Sequence, residues 1–390
     1  MLSSGIIESF FLIFTGAAVL ATVALYTRQP VLVAYILVGC LLGPHGFKLV
    51  SDPRLLSEIA QFGIIFLLFL VGLDLPPNKL RHMAGKTVLT ALGSTGVFFA
   101  VGFGVMVAFG FTVIEAVITG IAVTFSSTII GIKLLPTTVL HHKHIGEIVI
   151  SLLLIQDLLA ITALLILAGY GDVESSALND LATVVLALPL VFLTAYVGVR
   201  YILLPLIKRF DVFHEYIFLL ALGWCLGIAS LAEFSGLSLA IGAFIAGVSL
   251  ATSPISQYIA ENLRPLRDFF LVLFFFSVGA GLNISMLMNV LLPTVVLAAA
   301  LVVVKPGVFA FLLTVQGETK ETSREVGYRL GQASEFSLLL SYVAVSAALL
   351  SNEAAHIIQG ATVLTLVVSS YLVIFRYPSP IAPSAKLRRD

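Results

Sequence analysis

Ser151-Leu-Leu-Leu-Ile155-Gln156-Asp157-Leu-Leu-Ala160 sets an amide and a carboxyl side by side inside an apolar run extending from about 145 to about 170. A run of that length crosses a bilayer whose hydrocarbon core is about 30 Å thick, and Asp157 falls roughly a dozen residues from either end, near the midplane. A carboxylate there costs on the order of 2.5–3.5 kcal/mol even on the lenient insertion scale. Leucine would span without that cost, so Asp157 is read first as a functional group. The plainer alternative is a carboxyl held by hydroxyls of a neighbouring helix.

The rest of the 390-residue chain is of the same kind, 59% hydrophobic and 11% charged, against about 25% charged in a soluble domain. This composition is that of an all-α polytopic membrane protein embedded in a lipid bilayer. No basic stripe suits nucleic acid, and no nucleophile–base pair or metal spacing suits an enzyme. The formal net charge of zero says nothing of partners, because the charges segregate by side. Cys40 and Cys225 lie in different apolar runs outside any metal or redox motif and read as small buried residues. The N-terminus carries Glu8 and no basic region before its first apolar run, so it reads as a first span and not a cleaved signal.

Hydropathy predicts about thirteen spans, at about 5–26, 29–44, 55–74, 86–110, 112–134, 145–170, 178–204, 214–233, 236–252, 265–281, 286–315, 326–350 and 353–375. Of the 21 Lys and Arg residues, all but Lys48, Arg54 and Lys305 fall on one side of the membrane when the spans alternate. The positive-inside rule therefore puts the N-terminus outside and the C-terminus in the cytoplasm.

An odd count suits two inverted-topology halves, about 5–170 and about 214–375, joined by a linking helix at about 178–204. Both halves have a short second span, and the fifth span of each is broken by polar residues. In span 5 the break is Thr124-Phe-Ser126-Ser127-Thr128; in span 12 it is Gly331-Gln-Ala-Ser-Glu335-Phe336. Matched interruptions are the best sequence pointer to a site at the midplane. Broken backbone at that depth needs a cavity or a protein lining.

Ionised, Asp157 can coordinate a bare monovalent cation; neutral, it can carry a proton. Gln156 adds a neutral carbonyl and no second charge, which points to one-for-one exchange. Thr124, Ser126, Ser127 and Thr128 supply hydroxyls as a segment, although each alone more often bonds back to its own helix. Lys305, before Pro306 and Gly307, is the second mid-membrane charge. It reads as a partner for Asp157, as a structural cation at helix C-termini, or as both, since the two roles are not exclusive. Glu335 reads chiefly as a counter-charge to the half-helix N-termini, with the lining of a cation route as the alternative.

The run His141-His142-Lys143-His144 reads as a solvated loop, Asp74 as interfacial, and the stretch 253–268 as mixed-charge punctuation. Small-residue pairs such as Gly39/Gly43 and Ala243/Gly247 predict close helix packing.

Six segments occur in order: Val71-Gly-Leu-Asp74, Thr124-Phe-Ser-Ser-Thr128, Leu154-Ile-Gln156-Asp157, Gly242-Ala-Phe-Ile-Ala-Gly247, Phe274-Phe-Phe-Ser-Val-Gly279 and Gly331-Gln-Ala-Ser-Glu-Phe336. Together they resemble the Kef-type branch of the monovalent cation:proton antiporters, itself similar in fold to sodium–proton antiporters of the Nap and Nha types. The resemblance covers essentially the whole chain. It implies a thirteen-helix homodimer of the inner membrane, in which two discontinuous helices cross beside the ion-binding carboxylate and a core moves against a dimerisation domain. It also implies that Asp157 is the shared proton and cation site, Gln156 its neutral neighbour, and Lys305 the family's core lysine. Sodium-type electrogenic relatives carry two acidic residues where this chain has Gln156-Asp157, so the resemblance favours electroneutral K⁺ efflux driven by H⁺ influx.

Kef-type proteins commonly continue into a cytosolic nucleotide-binding domain. No βαβ pattern or glycine fingerprint occurs here, so the 390 residues read as one transmembrane antiporter domain. It needs no cofactor, and regulation through such a domain is not carried over unless the sequence is a truncated piece of a longer protein or a separate cytosolic domain or subunit supplies it. Na⁺/H⁺ exchange on the same fold is the nearest alternative. A cation channel lacks a Thr-Val-Gly-Tyr-Gly-like filter, and a non-transporting sensor has no need of Asp157 and Lys305.

Overall fold

The computed structural model describes residues 6–50, 52–73, 85–135, 144–170, 177–210, 214–251 and 256–379. No β-strand occurs among them. The helices are α1 (Ile6–Tyr26), α2 (Val31–Leu42), α3 (Pro53–Leu73), α4 (Gly85–Ala108), α5 (Val113–Ala122), α6 (Thr128–Lys133), α7 (His144–Tyr170), α8 (Ala177–Gly198) and α9 (Leu204–Arg209). They continue as α10 (His214–Phe234), α11 (Leu239–Ala251), α12 (Ser256–Gly281), α13 (Ile284–Asn289), α14 (Leu291–Val315), α15 (Lys320–Arg329), α16 (Glu335–Ser346) and α17 (Asn352–Arg376). Among the described residues, seven helices are long and apolar enough to cross a membrane, and shorter apolar helices include α2, α5, α11 and α16.

The helix starts are written locally. Thr112, Asn283, Thr319, Ser334 and Ser351 each precede a helix and accept from a backbone N–H of its first turn, as short oxygen-bearing side chains do at N-caps. At α5 the box closes: Glu115 takes the N–H of Thr112 at 3.0 Å and also the N–H of Ser351 at 3.3 Å. One side chain thus fastens the starts of α5 and α17. Between α8 and α9 the chain forms one π-turn over Val199–Leu203. Pro205 follows it and has no N–H for a helical bond, and the wider turn absorbs the mismatch.

Two compact units divide the chain: one comprises 1–51, 83–164 and 278–390, the other 52–82 and 165–277. In the second unit the core gathers Phe66 and Phe69 of α3, Cys225 and Ala229 of α10, and Ile241, Ala246 and Leu250 of α11. Phe66 stacks on Phe270 at 4.4 Å. Helices α3 and α11 pack closely because glycines face each other. A Cβ on Gly247 would collide with the Phe69 carbonyl, and one on Gly72 would come within 2.6 Å of the Phe244 carbonyl oxygen. Gly247→Ala is expected to destabilise the protein by about 1–3 kcal/mol, the usual cost of overpacking. It would be read as a lower unfolding temperature in detergent, and an unchanged temperature would mean the helices are not held in contact there. Both cysteines are free thiols.

In the first unit the core contains Ala91 and Phe98 of α4, Leu152 and Leu153 of α7, Phe309 of α14, and Val326 with Leu330 at the end of α15. Here two short non-helical stretches each separate a pair of helices. Residues 123–127 separate α5 from α6, and residues 330–334 separate α15 from α16. Asp74, His141–Lys143 and residues 252–255 of the mixed-charge stretch lie outside the described residues.

Candidate functional site

Asp157 lies in the middle of α7, buried at 8% exposure. The hydroxyl of Thr128, first residue of α6, donates to its carboxylate, 3.0 Å from Oδ1 and 2.9 Å from Oδ2. A single hydroxyl proton cannot satisfy two carboxylate oxygens. No Lys, Arg or His pairs with Asp157 among the described residues. The nearby charge is of its own sign: Glu335, half-buried at the start of α16, interacts with it electrostatically.

Of the other hydroxyls singled out in the sequence, none is directed at the carboxylate. Thr124 bonds back to the Ile121 carbonyl at 2.8 Å. Ser126 donates to the Leu330 carbonyl at 2.8 Å. Ser127 accepts from the Ile130 N–H at 3.2 Å, in the manner of a helix cap. Gln156 is fully buried; its Oε1 accepts the Ser126 backbone N–H at 3.1 Å, while its Nε2 has no hydrogen-bond partner among the described residues. Gln156 therefore holds the break at residue 126 and leaves amide protons over.

Lys305 of α14 is wholly buried. Its ammonium donates to the carbonyls of Val123 at 3.1 Å, Phe125 at 2.6 Å and Gln332 at 3.0 Å. An ammonium has three protons, and all three go to backbone carbonyls of the two breaks. The carbonyls at a helix C-terminus lack partners of their own, and the ring of Phe98 lies 5.0 Å from the charge. Lys305 thus ties the carbonyls of the two breaks together and does not pair with Asp157 among the described residues.

The breaks are laced together by further contacts that the sequence does not announce. Ser337 donates to the Ala122 carbonyl at 2.6 Å. Gln332 donates to the Ser127 carbonyl at 3.4 Å and accepts from Ser369 at 2.9 Å. The Ala333 N–H donates to Thr365 at 3.0 Å. Thr365 and Ser369 are four apart on α17 and so share one face; a polar pair at that spacing in an apolar helix was the available signal. At the first residue of α7, His144 meets Glu318 at 3.0 Å.

Asp157, buried with no compensating cation among the described residues and with the carboxylate of Glu335 nearby, is supported by one uncharged hydroxyl. This arrangement can hold one positive charge at a time, a proton on oxygen or a desolvated cation. Among the described residues, no group of three His, Cys, Asp or Glu gathers to hold a metal ion.

The sequence profile of a family described as "Sodium/hydrogen exchanger, transmembrane" matches residues 10–375. The chain is 31% identical over 351 residues to the iron transporter MagA of Paramagnetospirillum magneticum, covering 88% of this chain and 79% of that protein. It is 30% identical over 357 residues to K(+) efflux antiporter 4 of Arabidopsis thaliana, with 88% and 59% covered. It is 29% identical over 377 residues to the glutathione-regulated potassium-efflux system protein KefC of Enterobacter sp. (strain 638), with 93% and 59% covered. The chain thus spans about three-fifths of the length of these two potassium-efflux relatives. The solved structure of the sodium proton antiporter MjNhaP1 from Methanocaldococcus jannaschii has the same fold, with a TM-score of 0.68 at 16% identity over 94% of this chain and 96% of that one.

Proposed function

Because the chain belongs to the family of transmembrane sodium/hydrogen exchangers, whose members are transporters and not enzymes, we propose that it exchanges protons for K⁺ by competition at Asp157. The observation that carries this reading is the state of that carboxylate: buried, bonded to Thr128 alone, and without a cationic partner among the described residues. Burying an unpaired charge is costly. The site is therefore favourable with a proton on oxygen or with a cation beside it, and unfavourable empty. That is the condition for obligatory exchange.

In the proposed cycle Asp157 takes a proton while open to the outside, carries it neutral across the barrier, and releases it to the cytoplasm. It then binds K⁺ and returns. A proton gradient directed inward drives K⁺ efflux. Thr128 steadies the carboxylate in both states. Gln156, Ser126 and Ser127 hold the backbone of the break, and Lys305 neutralises the carbonyl ends of both breaks. Glu335 stands in the first turn of α16, where the helix dipole favours a carboxylate, and acts as a fixed counter-charge. One carboxylate exchanging one charge for one makes the cycle electroneutral. The wider frame is thirteen spans in two inverted halves, the discontinuous helices crossing beside Asp157. Two copies assemble in the inner membrane, N-terminus outside and C-terminus inside.

K⁺ is favoured over Na⁺ by the neutral Gln156 and by the names of the plant and bacterial relatives. The test is exchange in proteoliposomes under an imposed pH gradient, with K⁺, Na⁺, Li⁺ and Fe²⁺ offered in turn. Saturable exchange is expected with K⁺ at the lowest KM and a rate indifferent to membrane potential. Preference for Na⁺, or a rate that follows the potential, would overturn the potassium and electroneutral parts separately.

A further inference from the structure

Helix α6 is only six residues long, and both its ends are anchored by side chains. At its start, the Thr128 hydroxyl lies within hydrogen-bond reach of both oxygens of Asp157 and donates its one proton to the carboxylate. Past its end, the carbonyl of Leu134 accepts from Arg329 Nη1 at 2.9 Å. Helical bonding is continuous between the anchors: Gly131 N–H to the Ser127 carbonyl at 3.0 Å, and Leu134 N–H to the Ile130 carbonyl at 3.1 Å. The segment is a rod of roughly 9 Å at 1.5 Å per residue. It runs against the carboxylate's own helix, because a Cβ on Gly131 would meet Leu153 Cδ1 at 3.1 Å, and Leu153 lies one turn before Asp157.

Arg329 is 1% exposed and uses the rest of its fork as fully. Nε and Nη2 donate to Glu325 Oε1 at 3.0 and 2.7 Å. Nη2 also donates to the Pro378 carbonyl at 2.8 Å, and the Tyr377 ring lies 5.9 Å from Cζ. One guanidinium therefore joins the end of α15, the end of α6 and the segment that follows α17. Burying such a group adds little net stability compared with apolar packing. What it supplies is a fixed register between three segments, which a planar five-donor fork can set and a flexible ammonium cannot.

We propose that Arg329 is a positioning residue for Asp157: by fixing the far end of α6 it sets where Thr128 holds the carboxylate, and by binding the Pro378 carbonyl it makes the segment after α17 part of that support. The inference rests on the reading of Asp157 as the exchange carboxylate and adds a residue that acts on cation affinity through the length of α6.

The experiment is a double-mutant cycle in the full chain, with cation exchange in proteoliposomes as the readout. Arg329→Gln and Thr128→Val are each expected to raise the apparent KM for the transported cation about tenfold, with maximal rate within about threefold. Because both act along one path, the double variant is expected to be no worse than Thr128→Val alone. Arg329→Lys keeps the charge, guarding against a variant that fails to fold. It is expected to stay folded, with an unfolding temperature lowered by the buried carbonyl it leaves unpaired, and to show a KM raised several-fold, since an ammonium cannot span the three partners. The inference is overturned if the Arg329→Gln effect multiplies undiminished onto Thr128→Val, or if folded Arg329→Lys keeps the wild-type KM. A wild-type KM in Thr128→Val would also sink it, while leaving the role of Asp157 to its own test, Asp157→Asn.

Discussion

Asp157→Asn is expected to abolish proton-coupled cation exchange, by at least about 10²-fold, in a protein that folds as well as the parent. Asparagine has nearly the same volume, and its carbonyl still accepts the Thr128 hydroxyl that bonds the native carboxylate at 2.9 and 3.0 Å. What it lacks is ionisation. It neither takes up nor releases a proton in the working range, and it offers a cation no charge to offset lost hydration. Stability is expected to stay level or rise, because a neutral amide replaces an acid that has no counter-charge among the described residues. Acid-loaded proteoliposomes measure the first effect and thermal unfolding in detergent the second. Coupled exchange above roughly a tenth of wild type, far more than that barrier allows, would remove Asp157 from the centre of the proposal.

The second large effect separates stability from transport. Lys305→Met keeps most of the buried stem but removes the ammonium from the carbonyls of Val123, Phe125 and Gln332. Each buried carbonyl left without a partner costs about 1–3 kcal/mol. The total is expected to fall near the 3–5 kcal/mol typical of breaking a buried charged contact. A marked fall in unfolding temperature is the expected result. In the fraction that remains folded, the cation KM is expected to stay within about threefold, less than the tenfold step that marks a lost contact. Intact stability with a shifted KM would reverse the assignment and return Lys305 to the role of ion partner.

Much of the frame can be read locally. Hydropathy is a property of each stretch by itself, so the apolar helices, the short α2 and α11, and the depth of Asp157 in its run are legible residue by residue. The interruptions are legible too. Thr124–Thr128 and Gly331–Phe336 stand out as polar clusters against apolar runs, and the structure leaves 123–127 and 330–334 outside helices. The direction of each polar group is another matter. Thr124, Ser126, Ser127 and Thr128 are equivalent candidates on paper, and only Thr128 is turned toward the carboxylate.

By itself, then, the sequence determined an all-helical membrane protein with one carboxylate deep in an apolar helix and polar breaks in two others. Only the tertiary structure decided that Lys305 serves carbonyls as many as 182 residues away, that Gln156 supports the backbone of Ser126, and that Arg329 clasps the far end of the helix whose first residue holds Asp157. The reason is physical. Transfer of a side chain out of water depends on its own surface and is additive along the chain. A buried hydrogen bond depends on which distant partner arrives at about 2.9 Å with the right alignment, and no local pattern encodes that arrival.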